Sequence, residues 1–345
     1  MKNRFRTILL LSLLVFLSAN SVVAQQSFCI GAVKNYSVDL ADGPSGTPGS
    51  TYAWSVGEAA FQGVISGNPS ITGNAITIDW ATTPPGNYTL TVVETNSDGC
   101  LGIPIILNII IHPLPTISGD AVACKEGTIQ LTGSATANAT NPWVSSNPAV
   151  ATVSSTGLVT GISAGTTTIT YTNSNGCSIT KDITINALPT ISGNAVACKD
   201  ATIQLTGSAT ANAINPWVSS NPAVATVSST GLVTGISAGT TTITYTNSNG
   251  CSITKDITIN ALPTITGDAV ACQEGTIQLT GSPTANATNP WVSSDPAVAT
   301  VSSTGLVTGV SAGTTTITYT NSNGCIVTKV ITINALPTTS PINFN

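Results

Sequence analysis

The chain has little charge, few aromatic residues and a single histidine. Charged side chains make up 7% of its 345 residues and aromatic side chains 5%. With His112 as the one histidine, a Ser-His-Asp or Cys-His arrangement cannot recur along the chain. Asp79 and Glu94 lie on candidate strands, but nothing in the sequence brings the two carboxyl groups together. We therefore expect no enzymatic activity and no cofactor.

Metal-binding spacing is also lacking. The cysteines are isolated, without the CxxC spacing or neighbouring histidine of a zinc site. Calcium takes about six to eight oxygen ligands, and Asp79, Asp98 and Asp120 do not stand in an acidic loop. The sequence thus predicts no metal site.

No apolar run after the N-terminus approaches the roughly 18 residues of a membrane span. The nearest candidate, Ile103 to Ile111, is interrupted by Pro104 and Asn108 and predicts a buried strand. The first 24 residues show a basic start, an apolar run and the small-residue end Val22-Val23-Ala24, which together indicate a secretory signal peptide. We expect a mature chain without a transmembrane segment.

Removal of that leader takes away Lys2, Arg4 and Arg6. Six basic residues then face 14 acidic ones, for a net charge of −8. Binding of nucleic acid needs clustered Lys and Arg, so nucleic acid is excluded as a partner. An exported β protein fits this composition better than a cytosolic enzyme.

The second part of the chain repeats itself three times. Trp143, Trp217 and Trp291 are 74 residues apart, and the first two copies differ at five positions. Each copy is large enough to close its own sandwich, which indicates an array of domains. The predicted segments are a signal peptide (1–24), a first domain (25–112), three repeats (113–186, 187–260 and 261–334) and a tail (335–345).

The eight cysteines fall two to a domain. The spacing of 53 residues recurs in every repeat, so we expect four intradomain disulfides: Cys29–Cys100, Cys124–Cys177, Cys198–Cys251 and Cys272–Cys325. Such bonds imply an oxidising compartment. In the chain-entropy model, closing such a loop would add about 4 kcal/mol to the free energy of unfolding. That contribution would stabilise a domain whose hydrophobic core is thin.

Period-two alternation marks the strands of the repeat. It places Ile129 with Leu131 on one inward face, and Ile169 with Tyr171 on another. Turn signals recur roughly every 8 to 12 residues, helical periodicity is missing, and the order Cys, Trp, Cys recurs. We predict an all-β fold of four immunoglobulin-like sandwiches in a linear array, each of about seven strands. Cys177 follows an Asn-Gly hairpin, so its bond differs from the bridge of antibody domains.

Two resemblances follow from these motifs. The stretch from Trp143 to Thr170 resembles the bacterial immunoglobulin-like group 2 domain of invasin- and intimin-type surface proteins. The first domain, with its Tyr-x-Trp strand at Tyr52, its Gly-x-Tyr-x-Leu-x-Val strand at Gly86 and its Gly-Cys hairpin, is similar to the PKD-like domains of secreted proteins from gliding Gram-negative bacteria. The resemblance to the bacterial immunoglobulin-like group 2 domain implies a secreted or cell-surface array without catalytic residues.

Function follows as a hypothesis with one alternative. Proline-containing linkers at Pro113, Pro189 and Pro263 favour a semi-rigid, monomeric rod. We expect an adhesive or structural stalk or spacer, whose partner is an unknown protein or glycan at the cell surface. The alternative is a carbohydrate-binding accessory module of exported polysaccharide-handling machinery. Five tryptophans would then offer stacking faces: Trp54, Trp80, Trp143, Trp217 and Trp291. The last three, which belong to the repeats, are expected in the core.

Overall fold

The structure, a computed structural model, describes residues 24–38, 49–66, 73–286 and 288–338. The predicted signal peptide, apart from Ala24, and residues 339–345 of the predicted tail lie outside these ranges. Every regular element described is a β-strand, and none of these residues belongs to a helix that could cross a membrane. The chain divides into two compact units, the first ending at Thr184 and the second beginning at Ile185.

The N-terminal segment folds into two facing sheets. Its strands are β1 (Gln25–Cys29), β2 (Val33–Ser37), β3 (Thr51–Gly57), β4 (Val64–Ser66), β5 (Ala75–Asp79), β6 (Gly86–Thr95) and β7 (Ile105–His112). One sheet has the order β1-β7-β6-β3 and the other β2-β5-β4. All pairs are antiparallel except β1 and β7, which run parallel with Cys29 opposite His112. His112 is therefore the last residue of a strand.

Alternation on β6 builds the core of this segment. Tyr88, Leu90 and Val92 are buried at every second position, as predicted. Trp80 is fully buried between the sheets, with its ring 5.2 Å from that of Phe61 and 5.7 Å from that of Tyr88. The aromatic cluster packs in one core with buried aliphatic side chains of both sheets, among them Ile78 and Ile109.

Each repeat contains nine short strands in the same order. The first has β8 (Ile117–Ser118), β9 (Val122–Cys124), β10 (Thr128–Gln130), β11 (Thr132–Gly133), β12 (Trp143–Ser145), β13 (Ala151–Val153), β14 (Leu158–Gly161), β15 (Gly165–Thr172) and β16 (Ser178–Asn186). The second has β17 (Ile191–Ser192), β18 (Val196–Cys198), β19 (Thr202–Gln204), β20 (Thr206–Gly207), β21 (Trp217–Ser219), β22 (Ala225–Val227), β23 (Leu232–Gly235), β24 (Gly239–Thr246) and β25 (Ser252–Asn260). The third has β26 (Thr264–Thr266), β27 (Val270–Cys272), β28 (Thr276–Gln278), β29 (Thr280–Ser282), β30 (Trp291–Ser293), β31 (Ala299–Val301), β32 (Leu306–Gly309), β33 (Gly313–Thr320) and β34 (Ile326–Asn334).

The nine strands of a repeat correspond to the expected seven, because two of the seven are each broken into two short strands. In the second repeat, β17 pairs with β20 in a small sheet, while β18 joins the four-stranded sheet β18-β25-β24-β21. Gly193, at a φ of 115°, lies between β17 and β18 and lets the backbone leave one sheet for the other. Leu205 likewise separates β19 from β20. The all-β, immunoglobulin-like prediction is confirmed.

A Trp and a Tyr, each predicted to lie in the core, pack together at the centre of every repeat. Trp217 lies directly opposite Tyr245 on neighbouring strands, and their ring centroids are 4.5 Å apart. Val233 of the three-stranded sheet and Ile243 of the four-stranded sheet complete this core, and both are fully buried. The same 4.5 Å pairs recur as Trp143 with Tyr171 and Trp291 with Tyr319.

A buried hydroxyl organises the strand that carries the tryptophan. Thr241 lies on the inward face and is 4% exposed. Its Oγ1 lies 3.1 Å from the hydroxyl of Ser219 and accepts a 3.0 Å hydrogen bond from the backbone N–H of Asn221. The side chain thus ties β24 to the chain beyond β21.

Replacement of that hydroxyl tests its structural role. We expect Thr241→Val to destabilise the second repeat by about 1 to 3 kcal/mol, because the N–H of Asn221 loses its acceptor while the shape is kept. Thr240→Val, at an exposed position beside it, is the matched control and should change stability by less than about 0.5 kcal/mol. Denaturant unfolding gives both values; equal effects would contradict the assignment.

Candidate functional site

Two disulfides connect consecutive domains, and the prediction of four intradomain bonds is wrong. Cys29 is bonded to Cys177, and Cys198 to Cys325, each with a Cα separation of 5.6 Å. Cys124 and Cys251 are also in disulfide form. Cys100 and Cys272 are free and exposed. The bond between Cys29 and Cys177 joins the N-terminal segment to the first repeat, and the bond between Cys198 and Cys325 joins the second repeat to the third.

Strand direction explains why the expected pairs do not form. In the second repeat, β18 runs parallel to β25 and places Cys198 opposite Asn260, the last residue of β25. Cys251 immediately precedes the first residue of β25. Nine strand residues at about 3.3 Å each put about 30 Å between the two ends. A disulfide needs a Cα separation of about 4.4 to 6.8 Å, so an intradomain bond cannot close.

A recurrent turn presents the cysteine that follows each hairpin. In the first repeat, the Oδ1 of Asn173 accepts 3.0 Å hydrogen bonds from the backbone N–H groups of Asn175 and Cys177. The backbone N–H of Asn173 donates in turn to the carbonyl of Cys177, at 2.9 Å. Asn173 is 2% exposed. The predicted hairpin is confirmed, and Asn173, which lies two residues before its Asn-Gly pair, holds the cysteine that follows the turn.

The residues considered for catalysis do not form a site. Asp79 ends β5 and accepts a 2.8 Å hydrogen bond from the backbone N–H of Ala81, which is a local turn contact. Glu94 lies on β6, in the opposite sheet. In the part of the chain that the structure describes, no group of three or more His, Cys, Asp or Glu residues is placed to hold a metal ion.

Four of the five tryptophans are buried and offer no face to a sugar. Trp80 is fully buried, and the three tryptophans of the repeats are 7 to 8% exposed. Trp54 is half-buried against the core of the first segment, with its indole Nε1 3.5 Å from the carbonyl of Gly73. The core interpretation of the repeat tryptophans is confirmed. Trp54 alone keeps part of its surface exposed, so the carbohydrate-binding alternative keeps one of the five tryptophans that motivated it.

A groove in the N-terminal segment is a candidate binding surface. It encloses about 500 Å³ and is lined by Tyr36, Trp54, Leu90, Ile105 and Leu107, among others. Burial raises the pKa of the Tyr36 phenol above its usual value, because the phenolate would lose hydration. Ile105 is 62% exposed at the rim. The groove is open, and polar and apolar side chains share its lining about equally.

Comparison with known proteins places the chain in a family. The model of the bacterial Ig-like domain (group 2) family matches residues 116–183, 189–257 and 264–331. These matches cover more than half of the chain, which therefore belongs to this family. No curated protein matches the chain. The resemblance inferred from the Trp143 stretch is confirmed, while the PKD-like character of the first domain stays a prediction.

Several solved structures are similar to the chain at low sequence identity. One is invasin, a bacterial integrin-binding protein, at 15% identity over 90% of this chain and 78% of that one, with a TM-score of 0.31. A second is a C-terminal 282-residue fragment of intimin in complex with the intimin-binding domain of its translocated receptor, at 21% identity, 47% and 60% coverage and a TM-score of 0.30. A third is the N-terminal eight Ig domains of Down syndrome cell adhesion molecule. Its identity is 11% over 91% of this chain and 48% of that one, with a TM-score of 0.27. The chain spans less than two thirds of the intimin fragment and of the cell adhesion molecule.

Proposed function

We propose that the chain is a secreted or cell-surface protein whose tandem Ig-like domains act as an adhesive or structural spacer. The observation that carries the proposal is the covalent coupling of consecutive domains. The bond between Cys198 and Cys325 adds a second covalent connection to the linker at Pro263. Two connections limit the pivoting that a single short linker permits. Limited pivoting suits a protein that holds something at a distance.

Location outside the cytoplasm is part of the same proposal. Structural disulfides persist in oxidising compartments and are rare in the cytosol. The predicted signal peptide at 1–24 agrees with export. Repeat surfaces rich in Thr, Ser and Asn, with few charges, suit an exported module.

The division of labour between domains is also proposed. We assign residues 25–112 to a PKD-like domain and 113–186, 187–260 and 261–334 to the three repeats, with 335–345 as a tail. The repeats are nearly identical, which indicates that the function depends on the number of repeats and not on a feature of one copy. The partner, a protein or glycan at the surface, is assigned to the first domain, because the 500 Å³ groove lies there.

Surface labelling tests the location. A membrane-impermeant, amine-reactive biotin reagent applied to intact expressing cells should label the chain on the surface or in the medium. Lys125 and Lys199 provide accessible amines, since their side chains are 46% and 44% exposed. A cytoplasmic protein of the same cells is the control for leakage. Labelling that requires cell lysis would refute the proposal.

Deletion of the gene separates adhesion from spacing. If the protein is adhesive, cells without it should attach less to their natural surfaces, and re-expression should restore attachment. Unchanged attachment together with positive surface labelling would remove the adhesive role and leave the structural one.

A further inference from the structure

The eight cysteines belong to two structural types. A strand cysteine ends the short strand that pairs with the last strand of its domain: Cys29, Cys124, Cys198 and Cys272. A hairpin cysteine directly follows the last hairpin: Cys100, Cys177, Cys251 and Cys325. In both bonds described above, the strand cysteine of one domain meets the hairpin cysteine of the next. The two free cysteines, Cys100 and Cys272, are one of each type.

Cys100 is presented by the same turn as its bonded equivalents. The Oδ1 of Asn96 accepts hydrogen bonds from the backbone N–H groups of Asp98, at 3.0 Å, and Cys100, at 2.8 Å. The backbone N–H of Asn96 donates to the carbonyl of Cys100 at 3.1 Å. At the bonded Cys325, Asn321 makes the same contacts at 3.1, 2.9 and 3.0 Å. Cys100 is therefore already in the geometry of a bonded hairpin cysteine.

Cys272 likewise reproduces the setting of the bonded Cys198. Cys272 lies opposite Asn334, as Cys198 lies opposite Asn260. The backbone N–H of the following residue donates to that asparagine's carbonyl at 2.8 Å in both repeats. The carbonyl of Cys272 accepts from Gly275 at 2.9 Å, and that of Cys198 from Ala201 at 3.1 Å. Cys100 and Cys272 thus each have the backbone setting of a bonded cysteine of their type, and both are free.

The surroundings of Cys100 show what bonding would change. The bonded hairpin cysteines Cys177 and Cys325 are 0% and 1% exposed, whereas Cys100 is exposed. Beside Cys100, Leu101 is 77% exposed and Ile103 is 91% exposed. Large apolar side chains next to an exposed thiol favour coverage by another protein surface.

We propose that Cys272 of one copy forms a disulfide with Cys100 of a second copy, which joins chains head to tail. The contact is heterologous, so each added copy leaves one free cysteine of each type and the assembly can grow. Formation of the Sγ–Sγ bond removes one proton and one electron from each thiol. The oxidant is a small-molecule or protein disulfide, which accepts both electrons and both protons and leaves as two thiols.

The test uses the full chain with its existing disulfides intact and oxidised glutathione as the disulfide donor. We expect a ladder of monomer multiples on a non-reducing gel, which collapses to one band after reduction. Peptide mapping of the ladder bands should recover a peptide pair joining Cys100 to Cys272. Cys100→Ser and Cys272→Ser should each abolish the ladder, and a mixture of the two variants should give a single dimer band.

Three results would overturn the proposal. The ladder could persist in either variant, which would mean that other cysteines cross-link. Each variant alone could dimerise as readily as the mixture, which would mean that pairing between types is not selected. The wild-type chain could also stay monomeric, with glutathione on both cysteines or with Cys100 joined to Cys272 in the monomer band.

Discussion

Cleavage of the chain between the second and third repeats leaves both fragments in one covalent species until a reductant is added. A specific protease site inserted between Ala261 and Leu262, which are both exposed, provides the cut. The bond between Cys198 and Cys325 spans that cut, so the fragments stay joined. A non-reducing gel should show one species at full mass, and a reducing gel should show two fragments. The effect is all or none, which makes it the largest expected from this structure.

Matched variants define the bond responsible. Cys198→Ser should release the third repeat after cleavage without reductant, because the bond across the cut is removed. Cys272→Ser, a change at the equivalent strand position of the third repeat, should leave the fragments joined. If Cys325 were instead bonded to Cys272 inside the third repeat, the fragments would separate at once in the unmodified protein, and the interdomain assignment would be wrong.

The sequence was sufficient for the strands and the core because alternation is local. A side chain's face in a strand depends on its parity, so Thr241, Ile243 and Tyr245 could be placed inward together from their spacing alone. Trp217 could be assigned to the core because the repeat needs a large apolar side chain between its thin sheets. These assignments depend on neighbouring residues within one strand and are confirmed by burial.

Disulfide partners could not be deduced in this way because they depend on which ends of the domains meet. Eight cysteines allow about 105 pairings, and a constant spacing of 53 residues favours the wrong one. The decisive fact is that β18 lies parallel to β25, so Cys198 and Cys251 are at opposite ends of one strand length. Nothing in the Val-Ala-Cys sequence of β18 signals the direction of its partner. The interruption at Gly193 was missed for a related reason, since a change of sheet is a tertiary event.

The groove of the first domain was missed because it has no motif. Tyr36 and Leu90 come from opposite sheets, and only the packing of those sheets brings them to one surface. Of the tryptophans, which did stand out in the sequence, four are buried in cores and only Trp54 lines the groove. A residue type that is rare in a chain is thus a sign of packing as much as of binding.

Truncation of the central tryptophan should unfold the second repeat selectively. Trp217→Ala removes the ring that packs 4.5 Å from Tyr245, and such truncations cost about 3 to 5 kcal/mol. A domain of this size has a total stability of about 4 to 11 kcal/mol. The variant should therefore show a separate, lower-temperature transition in calorimetry. The first and third repeats keep Trp143 and Trp291, so their transitions should change little.

The neighbouring residue supplies the control for that prediction. Val218 lies on the same strand but faces outward and is 51% exposed, so Val218→Ala should cost less than about 0.5 kcal/mol. A comparable loss from both variants would mean that strand propensity, and not the buried aromatic pair, determines stability. If Trp217→Ala instead lowered the transitions of both repeats of its unit together, then the bond between Cys198 and Cys325 would couple their unfolding into one cooperative step.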